Sequence, residues 1–64
     1  MEMLELTLHD GKPIYINKSA ITSVFKPYDL VEIETDRATF EVKQSLNQVL
    51  DAINPKIIKV GPNV

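Results

Sequence analysis

The sequence predicts an α+β fold that is mainly β: a small antiparallel β-meander of about five strands, with one short C-terminal helix packed on it and a short terminal strand. Apolar and polar residues alternate over most of residues 2–43, which is the period of a half-buried strand. Turn residues separate the alternating runs. At Ser45 the apolar spacing changes to three and four residues, the period of a helix. We expect residues 1–64 to form a single domain.

The first two strands are predicted on either side of Asp10-Gly11, a dipeptide that tolerates the positive φ of a tight hairpin. Residues 2–8 carry leucine at every second position from Leu4, so the leucines share one face. Ile14 and Ile16 resume that face in a short second strand. Pro13 has no N–H to donate and suits the start or the edge of this strand.

A third strand is predicted from Ile21 to Lys26, after a polar turn at residues 17–20. Its apolar residues do not alternate strictly, which either a β-bulge or burial on both faces would explain. Pro27-Tyr28-Asp29 predicts the next turn, because proline presets φ.

The fourth and fifth strands are predicted over residues 30–34 and 38–43, joined by a tight turn. The two glutamates of the fourth strand point to solvent, and Ala38 begins the inward face of the fifth. One of these glutamates is expected across from Lys43 or Thr39, in cross-strand pairs that contribute only ~0.2–1 kcal/mol each.

A helix of about nine residues is predicted from Ser45, with Ser45 and Gln48 at the spacing of a capping box. Asn54-Pro55 ends it, because the residue before proline avoids the α region. A helix this short needs packing, so its apolar stripe is expected on the sheet. The stripe consists of Leu46, Val49, Leu50 and Ile53.

Composition excludes several classes of protein. Hydrophobic residues make up 44% and charged residues 25%, which is ordinary for a globular chain. The net charge of −2 provides no basic field for nucleic acid. No apolar run approaches the ~20 residues of a membrane span, and the acidic, alternating N-terminus is unlike a signal peptide. We therefore expect a cytoplasmic protein.

The sequence offers little to catalysis or to a cofactor. His9 is the only histidine, there is no cysteine, and the only glycines are Gly11 and Gly61. A nucleophile needs a base and an orienting group, a phosphate loop needs several glycines, and a zinc site needs several His or Cys ligands. We expect a non-enzymatic protein with no catalytic residue, no cofactor and no metal.

Small size predicts self-association. Burying apolar surface stabilises a chain of this length by about 95 kcal/mol. Ordering the chain costs about the same.

Ile57 and Ile58 point opposite ways on an extended segment, so its two faces are both apolar, and Val60 follows. The segment either packs on its own sheet or adds to another chain. The candidate interface residues are therefore Ile57, Ile58 and Val60, with Phe25 and Tyr28 near the third turn as a second set.

A nucleic-acid module is the alternative. Such a module would bind nucleic acid through a sheet surface that carries basic and aromatic residues, and three lysines and one tyrosine could form that surface here. These residues are Lys12, Tyr15, Lys18 and Lys26.

Three stretches together resemble the small bacterial flagellar and swarming proteins of the FlbD type. They are Asp10-Gly11-Lys12-Pro13-Ile14-Tyr15-Ile16-Asn17, Pro27-Tyr28-Asp29-Leu30-Val31-Glu32-Ile33 and Phe40-Glu41-Val42-Lys43-Gln44-Ser45. The resemblance covers residues 4–53 and departs from the family at the Thr35-Asp36-Arg37 turn and at Gln44. It implies a non-enzymatic accessory or regulatory protein that acts through protein contacts, and small phage proteins share the pattern.

Overall fold

The structure is a computed structural model that describes residues 1–62, with five strands and one α-helix. The fold class is confirmed, since the chain is mainly β, all its strand pairs are antiparallel, and one short helix follows them. The elements are β1 (Met3–Thr7), β2 (Pro13–Asn17), β3 (Ile21–Phe25), β4 (Val31–Thr35), β5 (Thr39–Val42) and α1 (Leu46–Ile53).

The predicted turn at Asp10-Gly11 joins β1 to β2. Gly11 has φ 92°, and its N–H donates to the Leu8 carbonyl at 2.9 Å. The Leu8 N–H in turn donates to the Lys12 carbonyl at 2.8 Å. This is a three-residue loop with glycine in the left-handed position, a geometry that matches the twist of the strands it connects.

The irregular pattern of the third strand comes from a β-bulge. Ile21 lies opposite Thr35 and Ser23 lies opposite Glu34, so Thr22 is the extra residue. The Thr22 hydroxyl donates to the Glu34 carbonyl at 3.1 Å, which fixes the bulge against β4.

The pairing of β4 with β5 agrees in part with the sequence. Glu34 lies opposite Thr39, as expected, but Glu32 lies opposite Glu41. The inward orientation predicted for Ala38 is wrong, because Ala38 belongs to the turn and is exposed. Its carbonyl accepts the Thr35 N–H at 2.8 Å and closes the hairpin, so β5 begins one residue later.

The strands form two sheets, one of β1 and β2 and one of β3, β4 and β5, with a 3₁₀ turn at Lys18–Ala20 between them. An isolated bridge between Leu8 and Val42 connects the sheets. Beside it the Lys43 N–H donates to the Thr7 carbonyl at 2.8 Å, and the His9 N–H donates to the Glu41 carbonyl at 3.1 Å. The continuous strand order is therefore β2-β1-β5-β4-β3, with β2 and β3 at the outside.

One core serves both sheets and the helix. Its buried residues come from β1, β2, β4, β5 and α1, and they are Leu6, Ile16, Val31, Ile33, Val42 and Val49. Leu46 and Ile53 of the helical stripe pack against this cluster, as predicted. Burial of the stripe is what stabilises so short a helix.

The helix begins and ends at the predicted residues. The Ser45 hydroxyl accepts the Gln48 N–H at 3.1 Å, and the Gln48 side chain accepts the Ser45 N–H at 2.9 Å, which completes the capping box. Asn54 takes the left-handed conformation, and its N–H donates to the Leu50 carbonyl at 2.7 Å. Asparagine tolerates this conformation at a helix C-terminus better than most residues. With eight residues, α1 is far too short to cross a bilayer, and residues 1–62 contain no other α-helix.

The predicted terminal strand is not formed. Residues 54–62 have no regular secondary structure, and Ile57, Ile58 and Val60 are all exposed. A strand requires a neighbour for its N–H and C=O groups, and no strand within residues 1–62 lies along this stretch.

Replacement of Ser45 tests the cap. We expect Ser45→Ala to lower the free energy of unfolding by about 1 kcal/mol, because the Gln48 N–H loses its acceptor at a helix start. Urea denaturation followed by circular dichroism measures the change. Ser45→Asp retains an acceptor and is the matched control, so equal losses in both variants would contradict a capping role.

Candidate interaction surface

The C-terminal segment, residues 56–60, carries three of the eight exposed large hydrophobic side chains of the described chain. Ile57 is 60% exposed, Ile58 73% and Val60 89%. All three are predicted interface residues, and the structure places them together along one stretch of chain. Residues 1–62 therefore leave more than half of each of these side chains in water.

The segment leaves the fold beside β3. Pro55 lines an open groove of about 270 Å³ with residues of β3 and the end of α1. Ile21, Val24, Leu50 and Ile53 supply the apolar lining. The chain therefore passes an edge strand at the point where the segment begins.

The molecule exposes more surface than its size requires. Its accessible area is 5069 Å², whereas a compact monomer of this mass exposes ~4,100 Å². The radius of gyration is 12.4 Å, against ~10.7 Å for a compact domain of this length. Residues 54–62, all exposed and without regular secondary structure, contribute to both differences.

Phe25 and Tyr28, the second predicted pair, lie at the end of β3 and in the following turn. Phe25 is 39% exposed on the outer face of the sheet, where it is opposite Glu32, and Tyr28 is 85% exposed. The structure therefore puts Phe25 on the same strand that borders the groove near Pro55.

The outer face of the three-stranded sheet is acidic, and the sequence predicts only the two glutamates of β4 on it. Glu32 lies directly opposite Glu41, and Glu34 lies between Ser23 and Thr39 on the neighbouring strands. Like charges directly opposite each other destabilise a strand pair. The His9 Nδ1 is 3.9 Å from the Glu41 Oε1 at the edge of this face. Within residues 1–62, acidic and histidine side chains form no cluster of three that could hold a metal ion.

The outer edge of β3 is unpaired within the described residues. Thr35 and Ala38 form a bonded pair, and bonded pairs alternate along an antiparallel ladder. The backbone groups of Glu32 and Glu34 therefore face β3, which leaves the N–H and C=O of Val24 pointing away from β4. The β-bulge breaks the alternation of apolar and polar residues in β3. The sequence alone therefore does not identify which residues of this strand point inward and which point outward.

The structure separates the residues of the predicted nucleic-acid surface. Lys12 and Lys18 flank β2 at its opposite ends, whereas Lys26 follows β3 in the other sheet. The Lys18 Nζ is 3.2 Å from a Glu2 carboxylate oxygen, and the Tyr15 hydroxyl donates to the Glu5 Oε2 at 2.8 Å. These acidic neighbours reduce the positive charge that the surface presents to a phosphate backbone.

Comparisons with protein-family models, with curated proteins and with solved structures give no match to this chain. The candidate surface is therefore argued from the geometry of the described residues.

The contact between Tyr15 and Glu5 predicts a pH dependence. The hydrogen bond to the Glu5 carboxylate, followed by the repulsion of its charge, raises the pKa of Tyr15 above its ordinary value of 10.0. Because folding raises this pKa, the contact stabilises the fold fully below pH 10.0, the ordinary value, and loses its contribution as the pH rises through the folded pKa.

Tyrosinate absorbance in a Tyr28→Phe background isolates the titration of Tyr15. We expect Glu5→Gln to lower the pKa of Tyr15, because the amide keeps an acceptor but removes the charge. An identical titration with and without the Glu5 carboxylate would contradict this contact.

Proposed function

We propose that this chain is a small non-enzymatic accessory or regulatory protein that acts through protein–protein contacts and assembles as a homo-oligomer. The C-terminal segment is its principal contact, with Phe25 and Tyr28 as the second set of contact residues. The single observation that carries the proposal is the exposure of Ile57, Ile58 and Val60 on a segment that its own fold leaves unpaired.

The surplus surface supports this proposal quantitatively. The chain exposes 5069 Å², which exceeds the area of a compact monomer by about 950 Å². A standard protein interface buries about 800 Å² on each partner. The surplus is therefore of the size that one interface would cover.

The resemblance to FlbD-type proteins supports a bacterial or phage setting and a cytoplasmic location for this function. The family implies regulation or accessory work through protein contacts, which agrees with the exposed segment. It supplies no catalytic residue, and the proposed role needs none.

Truncation tests the proposal. We expect a chain ending at Pro55 to be monomeric and to melt at a lower temperature, whereas the full chain sediments as an oligomer. A chain ending at Val60 is the matched control and keeps the oligomer, because it retains the C-terminal segment. Sedimentation equilibrium over a range of concentrations measures the mass, and a full chain that is monomeric at about 1 mM, the weak limit for a specific contact, would overturn the proposal.

Oligonucleotide titration tests the competing class. We expect neither single- nor double-stranded oligonucleotides to bind with micromolar affinity, because the net charge is −2 and Glu2 and Glu5 lie against the basic surface. Fluorescence anisotropy at two salt concentrations measures binding. Micromolar affinity that falls with salt, and that Lys12→Gln weakens, would favour the nucleic-acid function instead.

A further inference from the structure

We propose that the C-terminal segment of a second copy binds as an antiparallel strand along the open edge of β3, with Ile58 beside Val24 and Lys59 directed at Glu34. This inference rests on the proposed self-association and specifies where the segment binds. Two copies that exchange their segments in this way form a closed, two-fold symmetric dimer.

The backbone of β3 provides the first reason. The N–H and C=O of Val24 point away from β4 and have no strand beside them in residues 1–62. Such an edge accepts an extended peptide by main-chain hydrogen bonds. The C-terminal segment has five residues and no proline, and β3 also has five residues, so the two match in length.

The two faces of the segment provide the second reason. On a strand, Ile58 and Val60 share one face, and Ile57 and Lys59 share the other. With Ile58 beside Val24, the first face covers the apolar groove of about 270 Å³ that β3 and the end of α1 line. The second face then lies on the outer side of the sheet, where Phe25 is beside Ile57. Both apolar faces are buried by one register.

Charge provides the third reason. The same register puts Lys59 beside Ser23, and Ser23 lies opposite Glu34. Two strand spacings, about 9.6 Å, separate the backbones of Lys59 and Glu34, and the small serine between them leaves room for the extended lysine. The positive side chain therefore meets the acidic outer face that carries Glu32, Glu34 and Glu41.

A second copy is the occupant because each chain leaves its own β3 unpaired while its segment projects into water. The surplus of exposed area is about 950 Å² per chain relative to a compact monomer. That area corresponds to one partner's share of a standard interface. Reciprocal exchange covers the segment and the edge of both chains at once.

A charge exchange tests the site directly. We expect Lys59→Glu and Glu34→Lys each to weaken the dimer about tenfold, because each places like charges together at both contacts. An equimolar mixture of the two variants restores association as a heterodimer, since both contacts in the mixed dimer again join opposite charges. Lys12→Glu, which makes the same charge change at the exposed β1–β2 turn away from β3, is the matched control and is expected to leave association unchanged.

Sedimentation equilibrium measures each sample, and circular dichroism checks that the variants fold. All three substitutions are at exposed positions, so the fold is retained. A further variant, Val24→Pro, removes the backbone N–H that points outward from β3, but it removes no hydrogen bond to β4. We expect this variant to dimerise more weakly, although its C-terminal segment is the wild-type one.

The outcomes separate this inference from the proposed function. Restoration by the mixture supports the site. If truncation at Pro55 dissociates the oligomer but the charge variants associate like the wild type, or if the mixture fails to restore association, the site is wrong and the proposed function stands. If the full chain is monomeric, both are wrong.

Discussion

The hydrogen bonds between residues 7–9 and residues 41–43 hold this molecule together. The two-stranded sheet cannot exclude water by itself, because an isolated hairpin exposes both of its faces, and the buried core takes residues from both sheets. The bridge between Leu8 and Val42 brings the two sheets onto one core, where Val42 is fully buried. Gln44 reinforces the junction, since its side chain accepts the Thr7 N–H at 3.0 Å and donates to the Thr7 hydroxyl at 3.2 Å. The helix starts immediately afterwards and is therefore aimed across the same core.

The features that the sequence predicts correctly are local. The glycine of the first turn, the capping box at Ser45 and the apolar stripe of α1 each depend on residues within a few positions of one another. The junction between the two sheets is not local. Thr7 and Gln44 are 37 residues apart, and no local sequence pattern predicts that they meet. The placement of β1 beside β5 depends on contacts of this kind, so alternation alone could not predict it.

The candidate surface shows the same limit. The sequence identifies the apolar residues of the C-terminal segment. For this segment to pair as a strand it needs the open edge of a neighbouring strand, and the sequence does not show where that edge lies. The bulge at Thr22 shifts the alternation of β3, so the outward-pointing backbone of Val24 is visible only in three dimensions. The opposition of Glu32 and Glu41 is likewise a matter of register, which a shift of one residue would change. Lysines at positions 56 and 59 discourage unlimited stacking of such an exposed segment while permitting one matched contact.

The long separation across the junction also governs how the chain reaches its native state. Three hairpins, β1-β2, β3-β4 and β4-β5, are closed by connections of at most five residues, and hairpins form within about 1–10 μs. The strand order β2-β1-β5-β4-β3 then requires the ends of the chain's first and last strands to meet. Closing this long loop costs conformational entropy before the core contacts that compensate for it can form. We therefore expect the slow step of folding to be the docking of the two sheets, and until they dock the aliphatic inner faces of both sheets are open to water.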